Sequence, residues 1–158
     1  MIMMKLWKTK KEKQRRNEMR KYILATHGKM AGGMQSTLEM IAGAQENLTC
    51  INAYTEECSD PMPVFQKVIA GCEAGDEVVI MTDLFGGSVN NNAMTLLENE
   101  QVHVVTGINL PAVISLVMSD EETPAAEAIK EAIADAREML QYCNELPRSP
   151  QEEEEEDF

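Results

Sequence analysis

Four short apolar runs punctuate the chain. Tyr22–Ala25, Leu48–Ala53, Val78–Met81 and Val102–Val105 are four to six residues long and rich in β-branched side chains. That is the length and content of strands buried on both faces. The stretches between them repeat at helical spacing instead. Met34, Leu38 and Ile41 share one face of a first helix, Val64, Val68 and Ile69 of a second, and Ala93, Leu96 and Leu97 of a third. A fourth helix begins near Pro111. A last one has Pro124 in its first turn and a stripe of Ile129, Ile133, Ala136, Met139 and Leu140. The order β-α-β-α-β-α-β-α-α predicts an α/β fold: an open, mostly parallel sheet of four strands, helices on both faces, and right-handed crossovers.

The pattern fails at both ends. Residues 1–20 are dense in charge and lack a sustained apolar face, so they read as a basic extension, disordered or a frayed helix. Met19 stands just before the first strand and is a candidate native start, as is Met1. A rival use of the extension is a weak anchor on anionic lipid, with Leu6 and Trp7 dipping in. Residues 147–158, with Pro147, Pro150 and an acidic run, read as a solvated tail. That leaves 21–146 as one domain, long enough to bury a substantial core.

Charge and composition narrow the classes. Residues 1–21 hold nine Lys or Arg against Glu12 and Glu18, a net of +7, and residues 151–158 carry −6. With −13 overall, residues 22–150 hold about −14. So acidic a body argues against nucleic acid as the main partner and would suit a basic protein. No apolar run approaches the roughly 18 residues of a membrane span, and the N-terminus reverses the order of a secretory signal. The expected location is the cytoplasm. Cys50, Cys58, Cys72 and Cys143 form no CxxC pair, and His27 and His103 lie far from them in sequence. Free thiols follow, and neither a metal site nor a cofactor is expected.

In open α/β sheets ligands bind beyond the carboxyl ends of the strands. Here those ends read Thr26-His27-Gly28-Lys29-Met30, then Thr82-Asp83-Leu84-Phe85-Gly86-Gly87-Ser88, then Thr106-Gly107-Ile108-Asn109-Leu110-Pro111. A histidine, a carboxylate and a hydroxyl around one crevice suit phosphoryl transfer. One ring nitrogen of a neutral imidazole attacks phosphorus, and the N–H of the other needs an acceptor, a role for Asp83 beside His27. The Gly86-Gly87-Ser88 turn offers backbone N–H groups and a hydroxyl to phosphoryl oxygens. Each residue also has a plainer use. Asp83 can cap a turn, Ser88 reads as an N-cap, and His103, inside a strand, reads as structural. Met30 and Phe85 are either a docking rim or fold back on the core.

From Lys21 to about Leu146 the chain resembles the enzyme IIA component of the mannose family of the bacterial sugar phosphotransferase system (PTS). The likeness rests on Ala25-Thr26-His27-Gly28, Thr82-Asp83-Leu84-Phe85-Gly86-Gly87-Ser88 and Gly107-Ile108-Asn109-Leu110-Pro111, in the family's order and spacing. The resemblance implies that His27 takes a phosphoryl group on Nε2 from HPr and passes it to a histidine of a cognate enzyme IIB, which serves the membrane permease components. It implies that Asp83 orients His27 and that Ser88 lies beside the phosphoryl group. Thr26, Gly28, Met30, Phe85 and Asn109 would form the rim that meets partners. A homodimer with an exchanged antiparallel fifth strand is also implied, although no such strand is legible after Ala126.

Other readings use the same residues differently. The phosphotransfer subunit of dihydroxyacetone kinase would share the chemistry. The glycines after His27 and the Phe85-Gly86-Gly87-Ser88 turn favour the sugar system. A receiver-like module with Asp83 as phosphoacceptor needs an acidic pair after its first strand to hold Mg²⁺, where Thr26-His27-Gly28 stands instead. A flavin module is disfavoured by only seven aromatic residues and no Ser/Thr-rich loop after strand one.

Overall fold

The computed structural model describes residues 19–147. The readings of the basic extension and of most of the acidic tail lie outside the described residues. The elements are β1 (Arg20–His27), α1 (Met30–Ala42), β2 (Leu48–Ala53), α2 (Met62–Ala70), β3 (Glu77–Thr82), α3 (Ser88–Met94), β4 (Val102–Val105), α4 (Leu110–Val117) and α5 (Ala125–Glu138), then a 3₁₀ turn, Cys143–Glu145. The strands form one parallel sheet in the order β2-β1-β3-β4.

Alternation along β1 divides the core. Tyr22 and Leu24, with Val79, Met81 and Val105, pack against Ala31 and Leu38 of α1 and against α4 and α5. Ile23 and Ala25, with Ile51, Val78 and Ile80, pack on the other face against Phe65 of α2 and Val89 and Ala93 of α3. Burying Phe65 completely is worth roughly 2–3 kcal/mol of transfer free energy. Because the chain goes first to β2 and then back across β1 to β3, the helices leaving β1 and β3 take opposite faces. The carboxyl ends of this central pair therefore open onto a crevice.

Several expected contacts are absent. Helix α3 stops at Met94, so Leu96 and Leu97 fall in the turn beyond it; Leu96 still packs against the core beside Ala93, whereas Leu97 is exposed. Ile41, Met139 and Leu140 are exposed as well, since each lies at or past the end of its helix. Four alanines, Ala125, Ala128, Ala132 and Ala136, form the buried stripe of α5. Ile129 and Ile133 are only partly buried beside it. Among the described residues there is no fifth strand. The four cysteines are free, and burial together with the nearby Glu39 carboxylate pushes the Cys50 thiol up to about 11.

Candidate active site

His27 is the last residue of β1, and Asp83 directly follows β3. The register pairs Ala25 with Thr82, so Asp83 stands level with Thr26 and its carboxylate reaches the next residue, His27, across the crevice. The His27 backbone N–H donates to Asp83 Oδ2 at 2.9 Å, and His27 Nδ1 lies 3.0 Å from Oδ2 and 3.2 Å from Oδ1. The Leu84 N–H donates to Oδ1 at 2.9 Å. Burial raises the affinity of Asp83 for a proton. The His27 backbone N–H, the imidazole and the Leu84 N–H together outweigh burial and hold the carboxyl below its ordinary range. An ionised carboxylate only accepts, so in the neutral imidazole the proton sits on Nδ1 and the lone pair on Nε2. Ser88 Oγ is 3.2 Å from that nitrogen. The His27 side chain is 40% exposed, whereas that of Asp83 is 15% exposed.

The loop after β3 is tied from behind. Buried Asn90 accepts from the Gly86 N–H at 3.1 Å and donates to Thr82 Oγ1 at 3.3 Å, and Asn91 Nδ2 donates to the Gly86 carbonyl at 3.0 Å. The Gly87 N–H donates to the Leu84 carbonyl at 3.0 Å. The N–H groups of both glycines are thus used inside the loop, which corrects the expectation that they face a phosphoryl group. Gly87 has a different task. A Cβ there would stand 3.2 Å from His27 Cε1 and 3.1 Å from the Leu84 carbonyl oxygen, so a side chain would press the imidazole or the loop back by a few tenths of an ångström. Gly87 also takes the cap position of α3, so Ser88 is the helix's first residue rather than its N-cap, and its hydroxyl turns to His27.

The other expected site residues divide. Thr26 is fully buried, and its hydroxyl accepts the Ala31 N–H at 2.8 Å, so it ties α1 to the strand end and is no part of a rim. Asn109 caps α4 by accepting the Ala112 N–H at 3.0 Å. Gly28 is exposed, and its φ of +59° makes the turn out of β1 that a side chain would strain. Met30 and Phe85 stay at the surface with Leu84, and Phe85 is 81% exposed. His103 faces Glu77 on the neighbouring strand at 3.3 Å, away from the crevice. Tyr54, half-exposed just beyond β2, packs its ring 5.5 Å from the His27 ring. The strand-end rule that points to His27 and Asp83 applies equally to Tyr54. Among the described residues no group of three or more His, Cys, Asp or Glu is arranged to hold a metal, and no helix is long and apolar enough to cross a membrane.

Comparison with known proteins gives consistent matches. Residues 21–134 match the family described as "PTS system fructose IIA component". The chain is 27% identical over 128 residues to the mannose-specific EIIAB component of Escherichia coli (strain K12), covering 79% of this chain and 40% of that protein. It is 22% identical over 125 residues to the fructose-specific EIIA component of Bacillus subtilis (strain 168), covering 78% of this chain and 86% of that one. A crystal structure from Klebsiella pneumoniae, described as a phosphoenolpyruvate-dependent sugar PTS permease, superimposes with a TM-score of 0.74 at 38% identity, covering 81% of this chain and 93% of that one. The chain therefore spans well under half the length of the EIIAB relative, and most of the other two.

Proposed function

Because this chain belongs to the mannose-family enzyme IIA components of the PTS, phosphotransfer components of sugar uptake, we propose that His27 is the residue that carries the phosphoryl group. The Nε2 lone pair attacks phosphorus on the phosphohistidine of HPr. The donor's N–P bond breaks, its electron pair returns to the donor imidazole, and the new N–P bond leaves the His27 ring with positive charge. Asp83 keeps the proton on Nδ1 and offsets that charge. Ser88, freed from Nε2, turns its hydroxyl to a phosphoryl oxygen. A histidine of a cognate enzyme IIB takes the group in the reverse sense.

The observation that carries this reading is the line Asp83–His27–Ser88. A carboxylate sits 3.0 Å from Nδ1, a hydroxyl 3.2 Å from Nε2, and the ring between them is open to solvent. Transfer adds about −1.5 to −2 charges at neutral pH, and the acidic body suits basic partners. Residues 21–146 act as the carrier domain, in the cytoplasm and as a homodimer, between the basic extension and the acidic tail. With enzyme I, HPr and labelled phosphoenolpyruvate, the protein should take acid-labile, base-stable label that His27→Ala abolishes. Label that persists in His27→Ala would refute the assignment.

A further inference from the structure

Tyr54 is the one non-glycine residue with positive φ among those described, at 60°. That conformation is rare for a bulky side chain and persists only where the surroundings over-determine it. They do so here. The carbonyl before it, on Ala53, accepts the Gly28 N–H at 3.0 Å, which joins the segment to the turn after His27. Thr55, after it, exchanges both backbone hydrogen bonds with Cys58 at 3.2 Å, and its hydroxyl donates to the Asn52 carbonyl at 2.7 Å. The Asn52 side chain accepts the Gly32 N–H at 2.9 Å and donates to Glu57 at 2.9 Å, fastening the segment to α1. These bonds hold the backbone in the conformation that sets the Tyr54 ring beside the imidazole, 5.5 Å away and tilted by 44°.

We propose that Tyr54 is a positioning residue for phosphoryl transfer, its ring forming a wall that steadies the His27 imidazole and favours the positive charge the ring gains when Nε2 is phosphorylated. The inference rests on the reading of His27 as phosphoryl acceptor. Nδ1 and Nε2 already have polar partners, so rotation of the ring is what a wall can still limit, with Gly87 close against Cε1. The centroid distance of 5.5 Å is within the roughly 6 Å range of attraction between a cation and an aromatic face. The contact belongs to the ring and makes no use of the phenol hydroxyl, so phenylalanine should serve as well.

The test compares wild type, Tyr54→Phe, Tyr54→Ala and Tyr54→Gly. Label transfer is measured at saturating HPr, and the His27 ring protons are followed by NMR in the unphosphorylated proteins. Tyr54→Ala should lower the maximal rate about two- to fivefold and shift the ring-proton resonances. Tyr54→Phe should keep both near wild type. Glycine accepts the positive φ, so Tyr54→Gly should be folded and equally slow, which separates lost positioning from lost folding. A Tyr54→Ala protein at wild-type rate overturns the inference. So does a loss shared by Tyr54→Phe, or an effect confined to the dependence on HPr concentration, which would make Tyr54 a docking contact. A wild type that takes no label overturns the carrier reading itself, an outcome visible before any Tyr54 variant is compared.

Discussion

The two central strands carry a cation facing a carboxylate at one end and an imidazole facing a carboxylate at the other, and the two ends are used in opposite ways. β1 begins with Arg20, which faces Glu77 at the start of β3 at 3.8 Å. β1 ends with His27 opposite Asp83 at 3.0 Å. At the first end, Arg20 is 4% exposed and donates to Ser119 Oγ at 2.8 Å and to the Thr123 carbonyl. Glu77 also takes His103 and the Ala125 N–H. Tyr22 donates its hydroxyl to the Leu116 carbonyl at 2.6 Å. Apart from Arg20 Nε, which is buried without a partner, the donors and acceptors there are consumed by the fold. At the other end the carboxylate is equally occupied, yet one imidazole nitrogen meets only a rotatable hydroxyl in a half-open crevice. Pairing a charge with a carboxylate does not make a site. Leaving one atom of the pair available does.

The contrast is broken most severely at the His27 end. Asp83→Asn keeps the shape but lets an amide N–H face Nδ1, favouring the tautomer with the lone pair on the wrong nitrogen. Phosphoryl acceptance from HPr should fall by about 10²-fold or more, measured as single-turnover label transfer, with the unfolding midpoint changed far less. At the opposite end the effects should invert. Arg20→Met takes one of three partners from Glu77 and leaves the acceptors on Ser119 and Thr123 without their donor, so urea unfolding should show a loss of about 2–3 kcal/mol. The transfer rate of the remaining folded protein should stay within about twofold of wild type.

The smallest effect sharpens the comparison by acid. Burial raises the Asp76 carboxyl, but the N–H groups of Met19 and Glu73 and the Lys21 ammonium outweigh it, so its pKa, like that of Asp83, lies below the ordinary value. A group with a lowered folded pKa stabilises fully above its unfolded value, about 4, and that contribution is lost as pH falls through the folded value. Urea midpoints measured from pH 7 to pH 3 should therefore drop on the acid side. Asp76→Asn should be less stable at pH 7 and show a shallower drop.

Much of this was legible in the chain, for a physical reason. β2 and β4 keep the bounds of their apolar runs, because there the pairing and the hydrophobic segment stop together. β1 runs two residues further each way, since Arg20, Lys21, Thr26 and His27 still pair though they are polar. Bulky residues misled at helix ends, where Ile41, Met139 and Leu140 continue a stripe that the helix does not. They misled again in α5, whose close contact is made by alanines. His27 and Asp83 could be found because strand ends locate them. The amide bonds of Asn52 and Asn90, and a buried arginine, could not, because they depend on how loops close over one another.

The site has a consequence for how the chain is made. His27 and Asp83 are 56 residues apart in sequence, and β1 receives β3 only after β2 and α2 have been synthesised. At about 5–20 residues per second of translation, that interval is roughly 3–11 s. During it the apolar segment Tyr22–Ala25 lacks the neighbour it will have on one side. Arg20 and Lys21 immediately precede it, placed as gatekeeper charges that discourage pairing with the wrong chain. The arginine that later locks the closed end of the sheet thus begins as a guard on a nascent strand, and a competent His27–Asp83 pair can form only once that wait is over.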